Sequence, residues 1–114
     1  STTNRSLPMY LNDYQKHALE YAIYPRENAI HYTMHGLTSE VGEVADKVKK
    51  SMRDGWAPLM LREEVKKELG DVLWYVAAMA REFDLNLMDI AVGNIAKLND
   101  RKLRGKITGS GDGR

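Results

Sequence analysis

Four acidic side chains stand in two matched pairs. Glu40 and Glu43 bracket the stretch EVGE, and Glu68 and Asp71 bracket ELGD 28 positions later. A spacing of three places each pair on adjacent turns of one helical face, at about 100° per residue. With the first acid of each pair as zero, Val41, Val44 and Val48 fall at roughly 100°, 40° and 80°, and Leu69, Val72 and Val76 fall at the same angles. Both segments thus carry an acidic edge beside an apolar stripe. Packing antiparallel through those stripes would gather four carboxylates. Either pair alone would read as an ordinary solvated face; two in matching register favour a shared site. Gly42 and Gly70 strengthen that reading, since each costs about 1 kcal/mol against alanine inside a helix. Their equivalent positions predict close packing there.

Clustered carboxylates in a partly dry site either take up protons or bind cations. An all-oxygen donor set without histidine or cysteine selects hard ions, Mg²⁺ or Mn²⁺ rather than zinc. Di-iron carboxylate bundles want Glu-x-x-His pairs, and here the fourth positions are Glu43 and Asp71. Magnesium held by a few carboxylates keeps room for water and substrate phosphate, so the chemistry indicated is phosphate chemistry. A cationic partner lies downstream. Positions 97–114 hold six basic residues against two acidic ones, an excess of four. Asn94, Lys97 and Arg101 share one helical face, as a phosphate grip opposite the metals or as the cationic end of a helix favoured by its dipole.

The elements that must position these groups are helical. Leu11–Ala22 reads as a first helix, with Pro25 just beyond it. A second is expected over residues 28–52, ending at RDGWAP, and a third over 59–83. Asn86 caps a fourth, with Asp89 in a capping-box position, and Gly105 closes it after Arg104. No strand is expected, so the fold class is all-α, a four-helix bundle. Residues 1–114 form a single domain, with a helical core over 11–104 and a glycine-rich tail over 105–114. The segment DVLWYVAAMA is apolar on nearly every side, and four short helices of one chain hardly cover it, which predicts completion by a second chain.

Composition bounds the rest. The 114 residues are 43% apolar and 29% charged, with net charge +1 and no cysteine. The near-neutral balance speaks against nucleic acid as a partner, and the missing thiols exclude disulfides and thiolate metal sites. There is no membrane-spanning run and no signal-peptide pattern at the N-terminus, so a cytoplasmic location is expected. His31 and His35 form H-x-x-x-H without the glutamate a zinc protease needs. GSGDG lies in no strand-to-helix context for a dinucleotide or P-loop reading, though it could close over phosphate through backbone N–H groups.

The spacing E-x-x-E, 24 residues, E-x-x-D resembles the signature of the all-α nucleoside triphosphate pyrophosphohydrolases, the MazG-like superfamily, in its short single-domain form. GLTSEVGEVADKVKK and EEVKKELGDVLWYVAAMA are similar to that family's two core helices, and NIAKL with Arg101 is similar to its phosphate-contacting helix. The resemblance implies hydrolysis of a (deoxy)nucleoside triphosphate to the monophosphate and pyrophosphate. It implies Mg²⁺, replaceable by Mn²⁺, on Glu40, Glu43, Glu68 and Asp71. Glu43 is the expected proton acceptor, and Lys97 and Arg101 would steady the leaving pyrophosphate. It also implies aromatic contacts to the nucleotide from Tyr24 and Tyr75; Tyr24 could equally pack. Gln15 and Asn28 could reach base edges. Lys47, one turn after Glu43, could touch phosphate or pair with an acid, and Glu64 could support Glu68 from behind or stand as a surface acid. Trp74 is expected to pack, and Trp56 to serve as a lid or a partner contact. A homo-oligomer is implied, a tetramer or else a dimer. Two other readings stay open: a related phosphohydrolase acting on a phosphoribosyl nucleotide or an alarmone, and a non-catalytic metal-binding helical oligomer.

Overall fold

The structure, a computed structural model, describes residues 9–105 and is helical throughout its regular parts. Helix α1 spans Leu11–Ala18, α2 Ala29–Asp54, α3 Pro58–Glu82 and α4 Leu87–Leu103. The expected tail residues 106–114, including GSGDG, lie outside the described residues.

Local chemistry explains each boundary. Gly55 takes the left-handed conformation (φ 66°) and returns its N–H to the Ser51 carbonyl, closing α2. Pro58 then opens α3 in the first turn, where a missing N–H forfeits no intrahelical bond. Asn86 caps α4 by accepting from the Asp89 N–H at 2.8 Å. The first helix is shorter than its apolar pattern suggests. After Ala18 the chain tightens into a 3₁₀ turn over Leu19–Tyr21 and becomes extended at Ala22. The Ala18 carbonyl instead accepts from the Trp74 indole N–H at 2.9 Å, so a tertiary bond takes up an acceptor at the helix end.

The dominant pairing is α2 against α3, antiparallel. Residues whose numbers sum to 111 face each other: Gly36 with Tyr75, Glu40 with Asp71, Lys47 with Glu64. The seam therefore runs along the acidic edges themselves and not, as the sequence suggests, along the apolar stripes. Val41 and Leu69 are each 52% exposed, Leu73 41% and Val48 39%. They stand about 110–170° round from the seam on one side of the hairpin. The reason is steric: Gly36 removes a side chain just where the Tyr75 ring must lie, which draws the helices together on that edge.

Gly42 and Gly70, expected at a close approach, stand in open space. A Cβ at either would meet nothing within 4 Å, whereas one at Gly36 would overlap the Tyr75 ring. Close packing is thus the work of Gly36. Gly36→Ala is expected to lose about 1–2 kcal/mol, overpacking outweighing the gain in helix propensity. Gly42→Ala should be neutral or stabilising by up to about 1 kcal/mol. Thermal melts of the two variants followed by circular dichroism check the contrast.

Helix α1 lies across α3 and the start of α4. Ala77, Ala78 and Ala80 of α3 are buried, with Leu19, Ala22 and Trp74 packed round one end of this patch and Tyr14, Val76 and Leu87 round the other. Apart from Leu73, the apolar segment of α3 is therefore largely covered by its own chain. The core remains thin: among the described residues the largest side chain with under 2% exposure is Thr33. Helix α4 docks through its first turn, where Leu87 is buried and the Met88 N–H donates to Asn12 Oδ1 at 3.0 Å, and then runs on largely uncovered.

Candidate metal and nucleotide site

The seam brings Glu40, Glu68 and Asp71 together, with one oxygen from each lying within 4.8 Å of the others. Glu40 is the innermost. Its Oε2 is buried and has no hydrogen-bond partner. Burial pushes the Glu40 carboxyl above its usual range, and the charges of Asp71, Glu68 and Glu43 push it the same way. A buried carboxylate oxygen without a donor costs free energy that a cation would repay. The three acids therefore fit a hard divalent ion both by donor type and by the unmet demand of one oxygen. Glu43 falls outside the close trio. It is exposed at the rim, faces Glu68 in the helix register, and is near enough to act on Glu40 electrostatically.

A basic element adjoins the trio. Lys47 Nζ donates to Glu64 Oε1 at 3.1 Å and lies 3.9 Å from Glu68 Oε1. Lys67 holds the second Glu64 oxygen at 2.9 Å. Lys67, then Lys47, keep the Glu64 carboxyl below its usual range.

Aromatic side chains wall the other end. Tyr75 lies on Gly36 and meets Trp74 edge-on at 5.0 Å. Burial raises its hydroxyl pKa, with contributions from Tyr32 and from the charges of Glu40 and Asp71, so the ring stands close to the acids. Tyr14 is likewise raised by burial and then by Asp71. Tyr24, in contrast, is a core residue. It is buried, stacks on Tyr32 at 5.4 Å and meets Trp74 edge-on at 6.3 Å, with the Arg26 guanidinium 5.6 Å from its ring centroid. Its hydroxyl donates to Glu82 and accepts from Arg81. A base could stack on Tyr24 only after one of these neighbours moved. Tyr32, half exposed and adjacent to Tyr75, is an aromatic that sequence reasoning missed. Its one available signal was its position eight residues before Glu40 on the same helix.

The shell round Tyr24 has a pH signature. Arg26 grips Glu82 in a fork at 2.9 and 3.0 Å. This holds the Glu82 carboxyl below the usual glutamate value, against an opposing push from burial and with help from the Tyr24 hydroxyl. A carboxyl depressed in the folded state stabilises above its unfolded pKa, and that contribution is lost as pH falls through the folded value. Glu82→Gln should therefore melt several degrees lower at neutral pH, with the difference from wild type shrinking below about pH 4. Paired melting curves across pH read this out.

The other expected contacts divide between core and surface. Gln15 is buried and fully engaged: its amide donates to the Ala77 and Leu85 carbonyls, both at 3.1 Å, and accepts from the Leu87 N–H at 3.2 Å. It ties α1 to the α3–α4 turn through these backbone bonds. Asn94 and Lys97 are exposed on α4, whose principal contacts are with α1. Arg101 on the same helix is buried. Asn28 is exposed at the start of α2, with no side-chain capping bond. Trp74 packs as expected, Trp56 is half-buried in the α2–α3 loop, and His31 and His35 are both exposed.

The sequence matches the MazG nucleotide pyrophosphohydrolase domain over residues 29–104, which takes in α2, α3 and α4 with all four acids. The chain belongs to the MazG family. This MazG chain is also 42% identical over 114 residues to the Gene 37 protein of Mycobacterium phage L5, an alignment covering 93% of the chain and 100% of that protein. No solved structure matches it. Membership implies nucleotide pyrophosphohydrolase activity and a nucleotide substrate, and the acidic trio lies on the two helices central to the matched region. Among the described residues, no helix is long and apolar enough to cross a membrane.

Proposed function

We propose that this MazG protein is a divalent-metal-dependent pyrophosphohydrolase that cleaves a (deoxy)nucleoside triphosphate to the monophosphate and pyrophosphate, serving nucleotide-pool control. The observation that carries the proposal is the convergence of Glu40, Glu68 and Asp71 around a buried, unpartnered Glu40 oxygen on the hairpin of a MazG domain. Glu40, Glu68 and Asp71, with Glu43 from the rim, would hold the metal, Mg²⁺ by preference and Mn²⁺ as its substitute. A divalent ion there supplies charge neutralisation for the polyphosphate and a more acidic water.

The chain's own residues do the remainder. Glu43, exposed at the rim and outside the close trio, accepts the proton of the attacking water. Lys47 lies along the seam within reach of a phosphate. Asn94, Lys97 and Arg101 of α4 steady the pyrophosphate, with Asn94 and Lys97 delivered by a neighbouring chain of a homo-oligomer, a tetramer or else a dimer. Tyr75 borders the nucleotide and Asn28 is free to meet a base edge, while Tyr24 backs the aromatic wall from beneath.

The test is an assay for pyrophosphate with Mg²⁺ and a panel of ribo- and deoxyribonucleotides that includes a phosphoribosyl nucleotide and an alarmone. Release from triphosphates, abolished by chelator, is expected. Glu43→Gln should cut the rate about 100-fold or more with helical content unchanged. Folded protein that releases pyrophosphate from no member of the panel would leave only a silent metal-binding oligomer.

A further inference from the structure

Lys47 is the seam residue whose role is least obvious. Its long side chain is not spread into solvent as lysines usually are, and is only 21% exposed. It folds back between the helices, 3.1 Å from Glu64 and 3.9 Å from Glu68. Glu64 is fixed in turn, because Lys67 occupies its other oxygen at 2.9 Å. The result is an anchored ammonium 3.9 Å from an acid of the trio. Ordering a lysine in this way costs rotamer entropy, so a compensating gain is required. The gain at hand is electrostatic. Four acids share the seam, and without a counter-charge their repulsion opposes the close approach of α2 and α3.

We infer that Lys47 is the resident counter-ion of the carboxylate seam, held in place by Glu64, and that it competes with a divalent cation for Glu68. This rests on the trio being a cation site. Lys47 stabilises the hairpin when no metal is bound; once a cation satisfies Glu68, the ammonium is free to turn toward phosphate. Glu64 is a positioning residue acting through Lys47: it draws the ammonium to one side and so leaves Glu68 partly available.

The experiment is Mn²⁺ calorimetry on the chelator-stripped full chain, with metal-free melting temperatures measured alongside. Lys47→Met should bind Mn²⁺ about tenfold more tightly, through loss of a like charge near the ion, and its metal-free form should melt several degrees lower. Glu64→Gln should weaken Mn²⁺ binding, because an unanchored Lys47 shifts fully onto Glu68. In the Lys47→Met background the same Glu64 change should have a much smaller effect. Lys47→Gln, which keeps a donor toward Glu64, replaces Lys47→Met if the latter does not fold. Wild-type or weaker affinity in the Lys47 variant overturns the proposal, as does an equal effect of Glu64→Gln in both backgrounds, which would reduce Glu64 to a distant charge. Wild-type protein that binds no Mn²⁺ at all sinks the cation site itself, and the counter-ion with it.

Discussion

Glu40→Gln is expected to abolish pyrophosphate release, by about 100-fold or more, while raising the melting temperature of the metal-free protein. The two effects have one cause. Glu40 places an unpartnered oxygen in the seam, and its charge is opposed both by burial and by Asp71, Glu68 and Glu43. Glutamine keeps the shape, removes the charge, and adds an N–H₂ that can donate to a neighbouring carboxylate. The metal-free hairpin therefore relaxes. The same change removes the donor best placed to bind a cation, so the rise in melting temperature that Mg²⁺ gives the wild type should vanish in the variant. A structural glutamate would behave in the opposite way, its replacement costing stability without touching metal dependence. Melting curves with and without Mg²⁺, set beside the rate, separate the two cases. A variant that loses stability, or retains its Mg²⁺-induced shift, removes Glu40 from the ion.

Apart from the end of α1, where a tertiary bond from Trp74 takes the Ala18 carbonyl, the helices and their ends were legible because their signals are local. Asn86 before Asp89, Gly55 after α2 and Pro58 at the start of α3 each act within a turn of where they stand. The acidic pairs were legible for a similar reason, since two copies of one short pattern set Glu40 and Glu68 in equivalent places. The surface through which the helices meet was not. Angles along each helix predict contact through the valine and leucine stripes, yet contact runs through Gly36, Glu40 and Lys47 against Tyr75, Asp71 and Glu64. Burying acids is a poor bargain by composition alone, and it becomes reasonable only with a cation or Lys47 to balance the charge. Gln15 was illegible for another reason. Its three partners are backbone groups more than 60 residues away, and a carbonyl leaves no trace in sequence. Tyr24 and Tyr32 could not be ranked from the chain, because which ring covers the other depends on how the α1–α2 loop folds back.

Replacing Leu69 and Leu73 together by lysine should convert the protein from an oligomer to a monomer. Both leucines are exposed and lie on the side of the hairpin that carries the exposed Val41 and Val48, away from the seam. In an isolated chain such changes are surface substitutions, worth within about 0.5 kcal/mol each. In a symmetric assembly each lysine would enter the interface twice, once from each subunit, and unpaired buried charges there would weaken association by about 4 kcal/mol or more, roughly 1,000-fold in Kd. The thin core argues for the second case, since among the described residues many large apolar side chains stand exposed. The catalytic consequence follows from α4. If Asn94 and Lys97 reach the acids only from a neighbouring chain, the monomeric variant should keep its Mn²⁺ affinity and lose turnover, because the carboxylates lie on α2 and α3 of one chain while the phosphate contacts do not. Sedimentation velocity gives the mass and calorimetry the ion. Wild-type protein sedimenting at 13.0 kDa would show that the exposed leucines are not an interface. A monomeric variant with full activity would show that one chain completes the site unaided.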